Sequence, residues 1–527
     1  MSMSISQQEI DSLLNLYENQ KFEDAKKLAI SLIKKSPKHP YPWKILGVLL
    51  KQLGDIDQAL AVMKKSIQIS PKDPENYNNL AFTFLNLNRL NEAEQIYNQA
   101  IKLNPNYTLA YYNLGNTYRR NRKFKNAEYV YRQLIKLKPD YIEAYNNLGL
   151  TLLELERFEE AEKVFLKILR LKPDYIIAHF NLGTTLLELG RLDEAEKKLK
   201  KTIELKPDYA EAYNRLSYVK NLKGDLKSGF KLYEWRLLLN TYSAQPPRKD
   251  FGWSLDKPLK GKKIIVYEEQ GLGDIIQFFR FLPLLEKKGA KVIFKVKKKL
   301  HQILTSTNNN ISLTDDLPND SDVDFETPLM SIPYLLETEV KTIPANTPYL
   351  EANSNRVVMW GKKLISDKFK IGICWQSGKS RFYKGRSFSL SNFREISNIP
   401  GVELISLYKD SDENEILNLD FNITTLGKEF DNQGDAFIDT AAVMKNCNLI
   451  ITCDTSIAHL AGALGCNVWV VLKKIPEWRW MLNRSDSPWY PTMRLYRQKD
   501  FGQWEPVFNL IKSDLEEIIK KSQFNKK

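Results

Sequence analysis

The sequence predicts a multidomain chain, in which an all-α array of helical-hairpin repeats is followed by an α/β region built on parallel sheets. Three observations predict this fold class. Prolines recur every 34 residues through the first half, small residues recur at the same step, and after residue 262 short apolar strands alternate with helices. A chain of 527 residues also exceeds what one hydrophobic core usually supports.

The repeat half is expected to hold seven hairpins within residues 6–240. The repeated prolines are Pro37, Pro71, Pro105, Pro139, Pro173 and Pro207. Because proline has no N–H to donate inside a helix, each one ends the second helix of its hairpin. A column of small residues at the same step lets the paired helices approach closely: Gly47, Ala81, Gly115, Gly149, Gly183 and Ser217.

This pattern resembles the tetratricopeptide repeat (TPR) in its period and in its residue types. The segment Asp140–Gly149 looks like the first helix of a TPR hairpin, and Glu159–Phe165 looks like the second. One hairpin cannot bury its own apolar face, but stacked neighbours can. The resemblance therefore implies a TPR superhelix whose concave groove binds a protein or peptide.

One column inside the repeats invites a functional interpretation. Its members are Asn79, Asn113, Asn147 and Asn181. A row of carboxamides offers donors and acceptors to an extended peptide backbone, and this row is similar to the asparagine ladder of O-GlcNAc transferases. Asparagine is also simply common in TPR sequences, so both interpretations stay open.

Past a linker at residues 241–261, the alternation of strands and helices predicts two Rossmann-like halves, at residues 262–355 and 356–527. The expected strands are Lys263–Tyr267, Lys291–Val296, Ile371–Trp375, Glu403–Leu407, Leu449–Thr452, Val468–Leu472 and Met493–Tyr496. A first helix is expected over Asp274–Lys288, interrupted by Pro283. Ligands of such sheets bind at the carboxyl ends of the strands.

Composition narrows the class of protein. The formal charge of +14 favours anionic ligands, but no basic tail or zinc-finger pattern indicates nucleic acid as a partner. The four cysteines form no C-x-x-C pair and there are only four histidines, so we expect no metal site and no cofactor. Without an apolar run of about 18 residues or a secretory signal, we expect no transmembrane segment and a cytoplasmic location.

The first chemical motif, Glu268–Asp274, follows a strand and opens a helix. Gly271 and Gly273 let backbone approach a ligand, and the helix N-terminus offers unpaired N–H groups. The spacing fits neither the dinucleotide fingerprint nor a P-loop. Asp274 is either a helix cap or a functional carboxylate.

The second motif, Cys453–Gly465, also joins a strand to a helix. Asp454 is expected to cap that helix, while Thr455 and Ser456 leave hydroxyl and N–H groups for a phosphate. His459 falls on the first turns. The alternative is an ordinary capped helix that carries a partly buried histidine.

A third motif is a strand-exit loop rich in cations. It contains Lys379, Lys384 and Arg386. Such a loop suits an anionic ligand, although a solvated basic loop has the same composition.

The first two motifs, in this order and setting, resemble those of family 9 glycosyltransferases, the ADP-heptose heptosyltransferases. The segments Pro476–Trp480 and Ser487–Pro491 look like those of bacterial TPR proteins with a fused glycosyltransferase domain. The resemblance implies a GT-B fold, a nucleotide-sugar donor held mainly by the second Rossmann-like half, and no obligatory metal. The first half is short for a GT-B domain, which shifts acceptor recognition toward the TPR groove.

By the same resemblance, Asp274 is the candidate general base. The donor would be bound by Gly271, Gly273, Asp454, Thr455, Ser456 and His459, with a phosphate-binding cation among Lys379, Lys384 and Arg386. The implied function is transfer of a hexosyl, heptosyl or N-acetylglucosaminyl group to a protein or cell-surface glycan recruited by the repeats. The alternative is a catalytically inactive TPR scaffold for protein–protein interaction.

Overall fold

The computed structural model describes residues 4–239, 246–248, 252–254, 256–306, 310–316, 323–377, 385–409, 413–432 and 434–524. The chain divides into two compact units, Met1–Leu189 and Gly190–Lys527. The division falls inside the repeat array, so the last repeats belong with the α/β region. Lys379 and Lys384 lie outside the described residues. No helix in the described parts of the chain has the length and apolarity that a bilayer-spanning helix requires.

The first unit is all-α. Its helices are α1 (Gln7–Glu18), α2 (Phe22–Lys35), α3 (Pro40–Gln52), α4 (Ile56–Ile69), α5 (Pro74–Asn86), α6 (Leu90–Leu103), α7 (Thr108–Arg120), α8 (Phe124–Leu137), α9 (Ile142–Glu154), α10 (Phe158–Leu171) and α11 (Ile176–Glu188). The second helix of each complete hairpin ends two residues before a repeated proline, as predicted. A Cβ on Gly149 would lie 2.5 Å from Cζ of Phe165, which explains the column of small residues.

The turn inside each hairpin of this unit contains a residue with left-handed backbone. These residues are Gln20, Gly54, Asn88, Arg122 and Glu156. They keep the 34-residue step, although only one of them is glycine. The repeat geometry therefore imposes this conformation on side chains that do not favour it.

The second unit opens with the last repeats, α12 (Leu192–Leu205), α13 (Ala210–Leu222) and α14 (Leu226–Tyr233), followed by a 3-10 turn at Glu234–Leu238. A four-stranded parallel sheet follows, in the order β3-β2-β1-β4. Its strands are β1 (Lys263–Tyr267), β2 (Lys291–Lys295), β3 (Ser312–Thr314) and β4 (Phe325–Pro328), with helices α15 (Leu272–Phe279), α16 (Leu282–Lys287), α17 (His301–Leu304) and α18 (Ile332–Leu335).

A second parallel sheet has five strands in the order β6-β5-β7-β8-β9. These are β5 (Phe369–Cys374), β6 (Val402–Ser406), β7 (Leu449–Cys453), β8 (Val468–Leu472) and β9 (Met493–Arg497), with helices α19 (Ser354–Lys363), α20 (Arg394–Ser397), α21 (Glu413–Leu417), α22 (Ile438–Lys445), α23 (Ser456–Ala463) and α24 (Glu505–Phe524). Every residue of β7 and β8 is buried, as central strands of a covered parallel sheet require.

Three sequence-based predictions need correction. The helix expected over Asp274–Lys288 is two helices, and the break precedes Pro283, which lies in the first turn of α16 where its missing N–H is harmless. The helix expected at 390–397 is a 3-10 turn followed by one α-turn. The region 308–350 contains the short strands β3 and β4, whose few residues carry too little periodic signal to be recognised.

Candidate functional site

The first motif forms the N-terminus of α15. Gly271 is the N-cap residue, and Asp274 is the third residue of the helix. The backbone N–H of Gly271 donates to Oδ2 of Asp274 at 2.9 Å. Asp274 therefore closes the first turn from inside the helix and is not its N-cap. Its carboxylate keeps 22% of its side-chain surface exposed, so it remains accessible to a ligand.

The second motif places α23 directly after the fully buried strand β7. The N-cap of α23 is Thr455, and its side chain makes no capping hydrogen bond. The prediction that Asp454 caps this helix is therefore wrong. The first N–H groups of α23 are not satisfied by the N-cap side chain, which leaves them as donors for a ligand.

The two motifs meet. A Cβ on Gly273 would lie 3.0 Å from Cδ2 of His459 and 3.2 Å from Cα of Ser456. A side chain at Gly273 would thus collide with the backbone of α23, so the close approach requires glycine. The N-termini of α15 and α23 share one location at the carboxyl ends of β1 and β7, where their dipoles favour negative charge.

A buried arginine that the sequence analysis did not select organises this location. Arg479 donates to Asp274 Oδ1 at 2.5 Å, to Gln277 Oε1 at 2.6 Å and pairs with Glu477 Oε1 at 2.6 Å. Burial opposes its charge, but Glu477 and Asp274 outweigh burial and raise the pKa of Arg479. The signal that could have revealed it is a cation between two tryptophans, Trp478 and Trp480, in an otherwise apolar segment.

Arg386 is the cation of the third motif that the structure describes. Its Nη1 lies 3.2 Å from Oδ2 of Asp454, an oxygen without a geometrically good hydrogen bond among the described residues. Burial lowers the pKa of Arg386, but Asp454 and Glu477 outweigh it and raise that pKa overall. A cation and incompletely bonded polar groups thus lie beside the N-terminus of α23.

His459 is held neutral in this location. Its Nδ1 lies 3.0 Å from the hydroxyl of Tyr490, and its ring stacks on Trp480 with centroids 5.3 Å apart. Burial, reinforced by the positive charges of Arg479, Arg280 and Arg386, holds the pKa of His459 well below its usual range. A neutral ring can exchange hydrogen bonds with a ligand without adding charge.

A cavity of about 500 Å³ lies elsewhere in the second unit. It is lined by residues of the last repeat, including Lys231 and Leu237, and by residues around the end of β4, including Pro328 and Tyr334. None of the predicted site residues lines it. In the unliganded chain the predicted donor residues contact each other rather than enclosing this cavity. Among the described residues, no three His, Cys, Asp or Glu side chains group as a metal site would require.

The asparagine column of the first unit links neighbouring repeats. Asn113 donates to Asn78 Oδ1 at 3.1 Å, and Asn181 donates to Asn146 Oδ1 at 2.8 Å. Asn147 likewise donates to Oδ1 of Asn116 at 2.8 Å. The column therefore has a structural role between repeats. Asn79 is half-buried.

Comparison with known proteins confirms the repeats. Tetratricopeptide-repeat families match residues 12–74, 50–116, 108–141 and 140–208. The chain is 25% identical over 325 residues to Protein FlbA of Caulobacter vibrioides, which covers 56% of this chain and 53% of FlbA. It thus spans about half the length of this curated relative. TPR repeats are present, and they are typical of protein–protein interaction modules.

Two solved structures show the same kind of repeat. One is YrrB, described as a TPR protein with an unusual peptide-binding site, with 20% identity, coverage of 35% of this chain and 95% of YrrB, and a TM-score of 0.32. The other is the C-terminal part of a TPR repeat-containing protein of Cytophaga hutchinsonii, with 16% identity, coverage of 44% and 95%, and a TM-score of 0.38.

Proposed function

We propose that this chain is a glycosyltransferase of GT-B type, which moves a sugar from a nucleotide-sugar donor to an acceptor recruited by the TPR array. One observation carries the proposal. The N-termini of α15 and α23 are in contact at Gly273 and Ser456, and each helix follows a strand of a different parallel sheet. Two sets of helix N–H groups that meet between two such sheets suit the diphosphate of a nucleotide sugar.

The donor side of the reaction would use the α23 N-terminus. Thr455 and Ser456 supply N–H and hydroxyl groups there, and Arg386 supplies a cation that is only 17% exposed. As the bond from the anomeric carbon to the phosphate oxygen breaks, these fixed groups stabilise the nucleoside diphosphate that leaves with the electron pair. Leaving-group stabilisation of this kind needs no metal ion.

The acceptor side would use Asp274. Its carboxylate accepts the proton of the acceptor hydroxyl while that oxygen forms a bond to the anomeric carbon. The Gly271 N–H and the Arg479 guanidinium fix the orientation of this carboxylate. An oriented base next to the leaving-group site is what the transfer step requires.

A second candidate function is a protein-binding scaffold without transferase activity. One observation favours it. Both oxygens of Asp274 already accept hydrogen bonds, one from Gly271 N–H and one from Arg479. A carboxylate committed to structural bonds needs no catalytic role, and the TPR repeats alone would then carry the function.

Release of nucleoside diphosphate distinguishes the two functions. Full-length protein is incubated with hexosyl, heptosyl and N-acetylglucosaminyl nucleotide sugars and with dialysed cell extract as the source of acceptor. We expect release from one donor, and loss of release in Asp274→Asn. The matched control is Asp315→Asn, an exposed carboxylate beyond β3. Absence of release from every donor, or full activity of Asp274→Asn, contradicts the proposed role of this site.

A further inference from the structure

The loop between β1 and α15, residues 268–271, is held in a strained conformation. Gln270 has φ of +65°, in the left-handed region that non-glycine residues avoid. Such a conformation costs on the order of 1 kcal/mol and persists only where neighbouring contacts enforce it. This loop leads directly into the helix turn that carries Asp274, so whatever enforces it also orients Asp274.

Two residues of the last repeat enforce this conformation. Arg236, which is fully buried, donates from Nε to Glu269 Oε2 at 2.9 Å and from Nη2 to Glu269 Oε1 at 2.7 Å. Tyr233 accepts a hydrogen bond at its hydroxyl from the side-chain amide of Gln270. The strained residue and the one before it are therefore both bonded to a single turn of the repeat array.

The Arg236–Glu269 pair is completed on both sides. Glu269 also accepts from the backbone N–H of Met330 at 2.8 Å, and Arg236 also donates to Ser331 Oγ at 2.9 Å. Burial opposes the charge on Arg236, but Glu269 and Glu234 outweigh it and raise the pKa of Arg236. Buried pairs with all their hydrogen bonds made fix one geometry, because breaking one partner leaves an uncompensated charge.

The same repeat contacts the segment that carries Arg479. The hydroxyl of Tyr218 donates to the carbonyl of Pro476 at 2.9 Å, and the ring of Phe230 lies edge-on to Trp478 with centroids 5.6 Å apart. The last repeat thus contacts the two segments whose side chains, Asp274 and Arg479, pair in the candidate site.

We infer that the last repeat is a structural part of the transferase site, with Tyr233 and Arg236 as positioning residues that hold residues 268–271 so that Asp274 faces the donor. This inference rests on the proposed function for the identity of the reaction. The positioning itself is a property of the unliganded chain. The repeat array is then joined to the chemistry by specific side-chain bonds, and is not merely a tether for a partner.

Hydrogen exchange in the unliganded full-length chain tests the positioning independently of activity. Tyr233→Phe removes only the hydroxyl that accepts from Gln270, and Arg236→Lys keeps the charge but loses the two-pronged contact. Amides of residues 268–274 should exchange at least severalfold faster in both variants. Tyr213→Phe is the control, because its hydroxyl bonds to Pro207 O within the repeat itself. Unchanged exchange in Tyr233→Phe and Arg236→Lys overturns the inference.

Kinetics with the donor that the wild-type protein uses give the second readout. We expect kcat to fall by about tenfold to a hundredfold in Tyr233→Phe, with the KM for donor unchanged, because the donor site lies on α23. A rise in KM at constant kcat overturns the positioning role. If wild-type protein turns over no donor while exchange still accelerates in the variants, the proposed function fails and the structural positioning stands.

Discussion

Arg479 and Asp274 are 205 residues apart in sequence, yet Nη2 of the arginine lies 2.5 Å from Oδ1 of the aspartate. The guanidinium is 6% exposed, and it also bonds to Glu477 and Gln277. This contact joins the helix that follows the first sheet to the segment that follows β8 in the second. The candidate site is therefore assembled by one planar cation that bonds to three side chains at once.

Loss of this cation should destabilise the chain strongly. Arg479→Met leaves the carboxylate of Glu477, which is buried, without its partner, and a broken buried pair costs about 3–5 kcal/mol. Arg479→Lys should cost less but still more than 1 kcal/mol, since an ammonium cannot reproduce the planar fork. Urea unfolding followed by circular dichroism measures the difference.

The control for this prediction is Arg484→Met, which removes a pair with an Asp486 carboxylate that is 68% exposed. Such pairs contribute about 1 kcal/mol or less. Equal effects of the Arg479 and Arg484 substitutions would show that the buried network does not hold the site together.

Gly273→Ala should disrupt the contact between the two helix N-termini. The added Cβ would lie 3.2 Å from Cα of Ser456, which is backbone and cannot rotate away. We expect a loss of about 1–3 kcal/mol in the free energy of unfolding, typical of overpacking. Gly252→Ala is the comparison, because its Cβ would meet only Pro247 at an ordinary 3.6 Å. Equal unfolding midpoints for the two variants would refute the close approach.

The asparagine column should contribute to stability in the absence of any partner. Asn181 is 6% exposed and bonds to Asn146 of the preceding repeat. Asn181→Ala should therefore cost about 1 kcal/mol, measured by urea unfolding. Asn98→Ala provides the reference, since its exposed side chain bonds only to the carbonyl of Glu94 on its own helix. A cost that is no larger for Asn181 would leave the column available for a peptide alone.

Stability should fall on mild acidification in a way that depends on His459. Its pKa in the folded chain lies well below the unfolded value of about 6.5. Below pH 6.5 the unfolded chain therefore gains a proton that the folded chain does not, and the free energy of unfolding decreases as pH falls. Unfolding midpoints between pH 8 and pH 5.5 should drop less in His459→Asn than in wild type. His39→Asn, in the first compact unit, controls for histidine removal; a wild-type slope in His459→Asn would contradict this account.

Local patterns predicted the elements, and distant contacts limited the prediction of the site. The bounds of β1 and β8 agree with the sequence-based prediction, because a short apolar run between polar residues has one reasonable interpretation. Asp454 was expected to cap α23, but the extended backbone of Thr455 moves the cap one residue onward. Arg479 could not be assigned from sequence spacing, because its partner comes from the other sheet.

The central claim is a nucleotide-sugar site at the joined N-termini of α15 and α23. The most direct measurement is isothermal titration calorimetry of the full-length protein with nucleoside diphosphates and their nucleotide sugars, comparing wild type, Asp454→Ala and the exposed-site control Asp500→Ala. The account predicts that one nucleotide family binds to wild type and to Asp500→Ala and fails to bind to Asp454→Ala. No binding by folded wild-type protein, or equal binding by Asp454→Ala, would contradict it.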